Sequence, residues 1–135
     1  MKKYSFKYLL LLLLLFGCAT QPMYYWGNYS STLYHYKKNL TDEKLAEHKK
    51  SLLEIINKSN ELELKTPPGV YAELGYIYYN AGDFIKAEEY ISLEAKTYPE
   101  SQYFMNQILL KINENNYVYI NYFIAISRLC SKIKT

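Results

Sequence analysis

Apolar and polar positions alternate along this chain with helical spacing, and strand-like alternation is scarce. Between residues 66 and 101 the pattern is clearest. Val70, Tyr71, Leu74, Ile77, Tyr78 and Ala81 recur every three or four residues, which lines up one apolar stripe on a helix. Thr66 suits the N-cap of that helix, and Pro67 suits its first position, where a missing N–H costs nothing. Gly82 suits a left-handed C-terminal residue and Asp83 the next N-cap. Phe84, Ala87, Tyr90, Ile91 and Ala95 form a second stripe, and Pro99 ends it. Together they predict an antiparallel helix pair.

Two more helices are expected before this pair. Tyr25, Trp26, Tyr29, Leu33 and Tyr36 fall at helical spacing, predicting a helix over 24–38. The alternative for this aromatic run is a membrane-interface anchor, since Trp and Tyr favour bilayer surfaces. Thr41 is expected to cap the next helix, with Asp42 and Glu43 at its positive end and Leu40 stapled onto Leu45. Leu45, Leu52, Ile55, Ile56 and Leu62 carry its stripe to about residue 63. After the pair, Phe104, Ile108, Leu109 and Ile112 predict a fifth helix over 101–113. A final apolar run, Tyr117 to Ile126, is too short to span a bilayer as a helix; its Tyr, Val and Ile would suit a strand, but no partner strand is visible, and it reads as a separate tail helix.

The series Tyr71, Leu74, Gly75, Tyr78, Ala87, Ile91, Pro99 resembles the tetratricopeptide repeat, with twelve residues from Gly75 to Ala87 and twelve more to Pro99. Gly75 then marks the closest approach of the two helices. Glu94 departs from the small residue usual at its position. The expected fold is therefore all-α: antiparallel helix pairs in a tetratricopeptide-like right-handed stack of about five helices, plus a C-terminal tail helix. The last helix of such a stack caps an otherwise bare face. In such repeats the first helix of a pair lines the concave groove. In this register the groove-facing residues are Gly69, Ala72, Tyr76, Tyr79 and Asn80, the candidate partner-binding site, while Tyr71, Leu74 and Tyr78 face inward.

The N-terminus changes the picture from shape to address. Residues 1–17 read as a signal peptide, with Lys2, Lys3 and Lys7 ahead of the nine-residue apolar run from Tyr8 to Phe16. Leu15-Phe16-Gly17-Cys18 resembles a bacterial lipobox, although Phe16 departs from the usual small residue. That resemblance implies a lipid covalently attached to Cys18. Ala19 in place of Asp favours the outer membrane, with the chain facing the periplasm. Residues 18–23 then form a short tether of at most ~20 Å, residues 24–113 the helical domain, and 114–135 an apolar extension.

The formal charge of +3 is carried by the three signal-peptide lysines, so the mature chain is neutral. A neutral chain offers no electrostatic case for nucleic acid. With Cys18 acylated, Cys130 has no partner for an intrachain disulfide. His35 and His48 lack metal-ligand spacing, no nucleophile–base or carboxylate constellation stands out, and no glycine-rich phosphate loop is present. No metal and no cofactor beyond the covalent lipid is expected.

Residues 24–101 also resemble a family of small uncharacterised bacterial lipoproteins, family 4810 among the domains of unknown function. The resemblance rests on Tyr24-Tyr25-Trp26-Gly27, Leu33-Tyr34-His35-Tyr36, the stretch from Pro67 to Tyr76, and Tyr98-Pro99-Glu100-Ser101. It does not reach beyond about residue 115. It implies an outer-membrane lipoprotein without enzymatic activity, often encoded beside a lipoprotein similar to the curli secretion channel. The resulting expectation is a non-catalytic protein-binding adaptor in an envelope assembly or secretion complex. The alternatives are a purely structural lipoprotein and a cell-wall enzyme.

Overall fold

The computed structural model describes residues 22–133. The expected signal peptide and Cys18 lie outside the described residues. Five α-helices and one short 3₁₀ turn follow one another: α1 Tyr29–Lys38, α2 Asp42–Glu61, α3 Val70–Asn80, α4 Phe84–Thr97, the turn Pro99–Ser101, and α5 Gln102–Ile133. Among the described residues there is no strand.

The α3–α4 hairpin forms as its sequence predicts. Gly82 takes a left-handed φ of +78°, and the Asp83 side chain accepts from the Lys86 N–H to cap α4. Antiparallel pairing is visible in the contacts, which join early α3 to late α4 and late α3 to early α4. Gly69 and Ala72 meet Glu94, Gly75 meets Ala87 and Ile91, and Tyr79 meets Phe84. Leu74, Ala87 and Ile91 are fully buried, with Leu52 and Ile55 of α2, Val70, Met105 and Ile112 completing the core. Tyr78 lies flat against Tyr90 at 5.5 Å. The Lys49 ammonium sits 3.9 Å from the centre of the Tyr78 ring and ties α2 to the hairpin.

Gly75 is where the hairpin closes most tightly. A Cβ there would stand 2.8 Å from Ile91 Cγ1 and 3.2 Å from the Ala87 carbonyl oxygen. The glycine costs ~1 kcal/mol of helix propensity, and close packing of α4 offsets it.

Four expectations need correction. The first helix begins at Tyr29, not residue 24, because Gly27 adopts φ +45° and turns the chain. Leu40 is largely exposed at the entrance to α2, so it makes no well-buried staple; the Thr41 cap itself forms, accepting from the Lys44 N–H. Thr66 does not cap α3: it is buried, its hydroxyl donates to Tyr71, and its carbonyl accepts from the Tyr98 hydroxyl. The helix starts three residues later than Pro67, after a left-handed Gly69 with φ +86°. Finally, the fifth helix and the tail are one continuous helix, with no break at the polar run 113–116. At 32 residues, α5 is about 48 Å long. Its first half packs on the hairpin through Met105, Ile108, Leu109 and Ile112, whereas Tyr117, Val118 and Ile120 are exposed.

Candidate functional site

Glu94 resolves the start of α3. Gly69 stands at the N-cap position and has no side chain to offer. The Glu94 carboxylate of α4 reaches across instead, accepting from the Gly69 N–H at 2.8 Å and the Ala72 N–H at 3.4 Å. It is 3% exposed. A negative group on the positive end of a helix is favourable, so the departure from the repeat's small residue is a cap supplied from the neighbouring helix.

With α3 held there, its outer face and the first half of α5 form the two walls of a cleft of about 480 Å³. Ala72, Tyr76 and Tyr79 stand on one wall, with Phe104, Ile108 and Lys111 among the residues of the other. The floor is Ile91, reached past Gly75, together with Met105 and Ile112. The lining is almost wholly apolar, apart from Glu73 and Lys111. Tyr76 and Phe104 are both exposed, so their rings are accessible to a ligand. Tyr79 is more constrained: it packs edge-on against Phe84 at 5.7 Å, and its hydroxyl accepts from the Asn115 amide at 2.6 Å.

Of the five groove residues expected from the repeat register, Ala72, Tyr76 and Tyr79 line the cleft. Gly69 and Asn80 do not. The first is taken up by the start of α3 and its Glu94 bond, and the second ends the helix. The register reasoning missed Glu73, Phe104, Ile108 and Lys111. Those on α5 could not be assigned without knowing how α5 docks, though the Phe104–Ile108 spacing already marked one apolar stripe.

Glu73 also has an inner side. One carboxylate oxygen accepts from the Tyr29 hydroxyl at 2.9 Å, and the other meets His48 Nε2 at 3.1 Å. His48 is wholly buried, held between the rings of Tyr29 and Tyr36, with Nδ1 2.9 Å from the Thr32 hydroxyl. Burial pushes the Glu73 carboxyl up, but the bonds from His48 and Tyr29 outweigh it and leave its pKa below the usual range. Tyr29 is raised to about 12, first by burial and then by its bond to Glu73. It is therefore un-ionised at neutral pH and a poor nucleophile. The arrangement joins α1, α2 and α3 by polar bonds and leaves no catalytic edge of the imidazole open to solvent. His35 is exposed and packs against the edge of Tyr34, apart from His48's cluster. Among the described residues no three His, Cys, Asp or Glu side chains come together as metal ligands.

The sequence from residue 23 to residue 108 matches one family model, described as Domain of unknown function (DUF4810). The chain belongs to this family. The DUF4810 match spans α1 to α4 and ends inside the first half of α5, at Ile108 in the cleft wall. The cleft is thus built mostly from DUF4810 residues, completed by Lys111 and Ile112 just beyond them. No curated protein and no solved structure matches the chain. Among the described residues no helix is long and apolar enough to cross a membrane.

Proposed function

We propose that this DUF4810 protein is a lipid-anchored, non-catalytic adaptor of the bacterial outer membrane. It faces the periplasm and holds a protein partner of an envelope assembly or secretion complex. The observation that carries the reading is the cleft between α3 and α5, an apolar trough with the exposed rings of Tyr76 and Phe104 on opposite walls. Aromatic side chains at a concave surface are what protein interfaces use as anchors. Lys111 offers one basic group to orient an apolar peptide or helix. The tetratricopeptide-like spacing of the α3–α4 pair supports the same reading, since stacked helix pairs present such troughs to partners. The membrane part rests on the Lys-rich leader and the lipobox-like Leu15-Phe16-Gly17-Cys18. A lipoprotein similar to the curli secretion channel is the partner to test first.

The test is recovery of that partner from detergent-solubilised membranes by tagged wild-type protein and by a Tyr76→Ala, Phe104→Ala variant. Because both rings are exposed, the variant folds as wild type. Loss of the partner from the variant alone supports the reading. Equal recovery by both proteins removes the cleft as the site.

A further inference from the structure

All five helices meet at one end of the molecule. Helices α1, α3 and α5 begin there, and α2 and α4 finish there. Tyr29, the first residue of α1, donates to Glu73 in the first turn of α3. Tyr98, which closes α4, donates to the Thr66 carbonyl just ahead of α3. From Tyr98 the turn Pro99–Ser101 leads straight into α5. The chain that enters α1 crosses this same end: Tyr24 stands beside Tyr98, and Tyr25 lies near Lys58 in the last turn of α2. Large apolar side chains are left open here. Met23 is 74% exposed, Trp26 42%, Leu62 55% and Tyr103 80%. They come from three separate segments, the lead into α1, the end of α2 and the start of α5. The charges around them balance, with Lys58, Lys65 and Lys96 set against Glu61, Glu63 and Glu100. An aromatic, apolar and electrically balanced surface suits the interfacial zone of a bilayer, where Trp and Tyr collect.

What covers this end follows from where the chain leads. From Met23 it runs back to Cys18, and residues 18–23 reach at most ~20 Å. The opposite end of the molecule lies about 30 Å away along the 20 residues of α2, beyond that reach. We propose that the end bearing Met23, Trp26, Leu62 and Tyr103 rests on the bilayer to which Cys18 anchors the chain, with α5 directed away from the lipid. This orientation rests on the lipoprotein reading above and is independent of what the cleft holds. Asn115 of α5 already stands level with Tyr79, near the far end of α3. The exposed Tyr117 is therefore carried to the side remote from the membrane.

Trp26 is the only tryptophan of the chain, so its fluorescence reports this end alone. The experiment purifies the full chain from membranes and weighs it for fatty acid. The protein is then reconstituted into phosphatidylcholine vesicles with or without bromine on the acyl chains, which quenches a ring that touches lipid. Brominated vesicles are expected to lower Trp26 emission by about twofold, as for a ring in the interfacial zone. A Trp26→Phe, Tyr117→Trp variant moves the probe to an exposed position at the far end and keeps its emission in both kinds of vesicle. An acylated, vesicle-bound chain whose Trp26 emits equally in both overturns the orientation and leaves the lipoprotein reading intact. A far-end probe quenched as strongly as Trp26 also overturns it, since the molecule then lies along its side or on the C-terminal half of α5. A chain that carries no fatty acid and stays off the vesicles ends the lipoprotein reading and the orientation with it.

Discussion

Replacing Glu94 by Ala removes the group that begins α3 and leaves the rest of the hairpin's chemistry in place. The carboxylate satisfies two N–H groups, those of Gly69 and Ala72. No other side chain caps that end. An N-cap removed from a helix costs ~0.5–2 kcal/mol, and a hydrogen bond to a charged acceptor is worth about 1.5–3 kcal/mol. These figures overlap, because the same bonds are counted in both. The desolvation of a carboxylate that is 3% exposed offsets part of them. A net loss of about 3 kcal/mol is expected for Glu94→Ala, mostly from leaving donors unsatisfied beneath α4. For a body of this size each kcal/mol moves the melting temperature by about 4 °C, so Tm falls by about 12 °C. Glu94→Gln keeps the shape and one acceptor oxygen but turns its amide N–H₂ toward a second donor, and about half that loss follows. Thermal unfolding followed by far-ultraviolet circular dichroism gives the Tm values. Hydrogen exchange adds a local reading: the amides of Gly69 and Ala72 lose protection in the Ala variant before those of α4 do. A Gln variant that melts with wild type, together with an Ala variant within about 1 kcal/mol of it, would refute the cap.

Three further outcomes are expected. Gly75→Leu forces a side chain into Ile91 and the Ala87 carbonyl, and overpacking of this kind costs about 1–3 kcal/mol; a variant melting at or above wild type contradicts the close approach. Glu73 has a folded pKa below its ordinary value, so its contribution is complete above the unfolded carboxyl's pKa, near 4.5, and is lost as pH falls through the folded value. Glu73→Gln should therefore be less stable at neutral pH and show a flatter loss of stability below about pH 4.5, and chemical denaturation across that range that yields parallel curves for the two proteins removes Glu73 as an acid-sensitive group. Cys18→Ser abolishes fatty-acid labelling and frees the protein from membranes, while a wild-type chain that takes up no label ends the lipoprotein reading.

The hairpin was legible in the sequence because its signals are local. Gly82 and Asp83 specify their own backbone and cap within a few residues, and Gly75 could be placed by spacing alone. Thr66 misled because it is a good capping residue in a position where tertiary structure gives its hydroxyl to Tyr71 and its carbonyl to Tyr98. The true cap comes from Glu94, twenty-five residues from Gly69, and no local pattern announces a partner at that distance. His48 is the same case. It looked like a residue at the edge of a stripe; the rings of Tyr29 and Tyr36 bury it, and its polar partner is a carboxylate on another helix. The asparagines at 113, 115 and 116 looked like a break between two helices. In the structure they are helical, and Asn115 bonds to Tyr79 across the cleft's end. Half of the cleft was readable, since α3 supplies one wall in fixed register. The other wall depended on where α5 docks, which spacing does not encode.

Gly75 belongs to two surfaces at once, the seam between α3 and α4 and the wall of the cleft. The depth of the trough and the spacing of the hairpin are consequently one variable. A methyl group added there would both wedge the helices apart and raise the floor over Ile91. Anyone reshaping the trough for a bulkier ligand has to work from the α5 side, at the exposed Phe104 or Lys111, where the walls can be recut without loosening the packing of α5 on the hairpin.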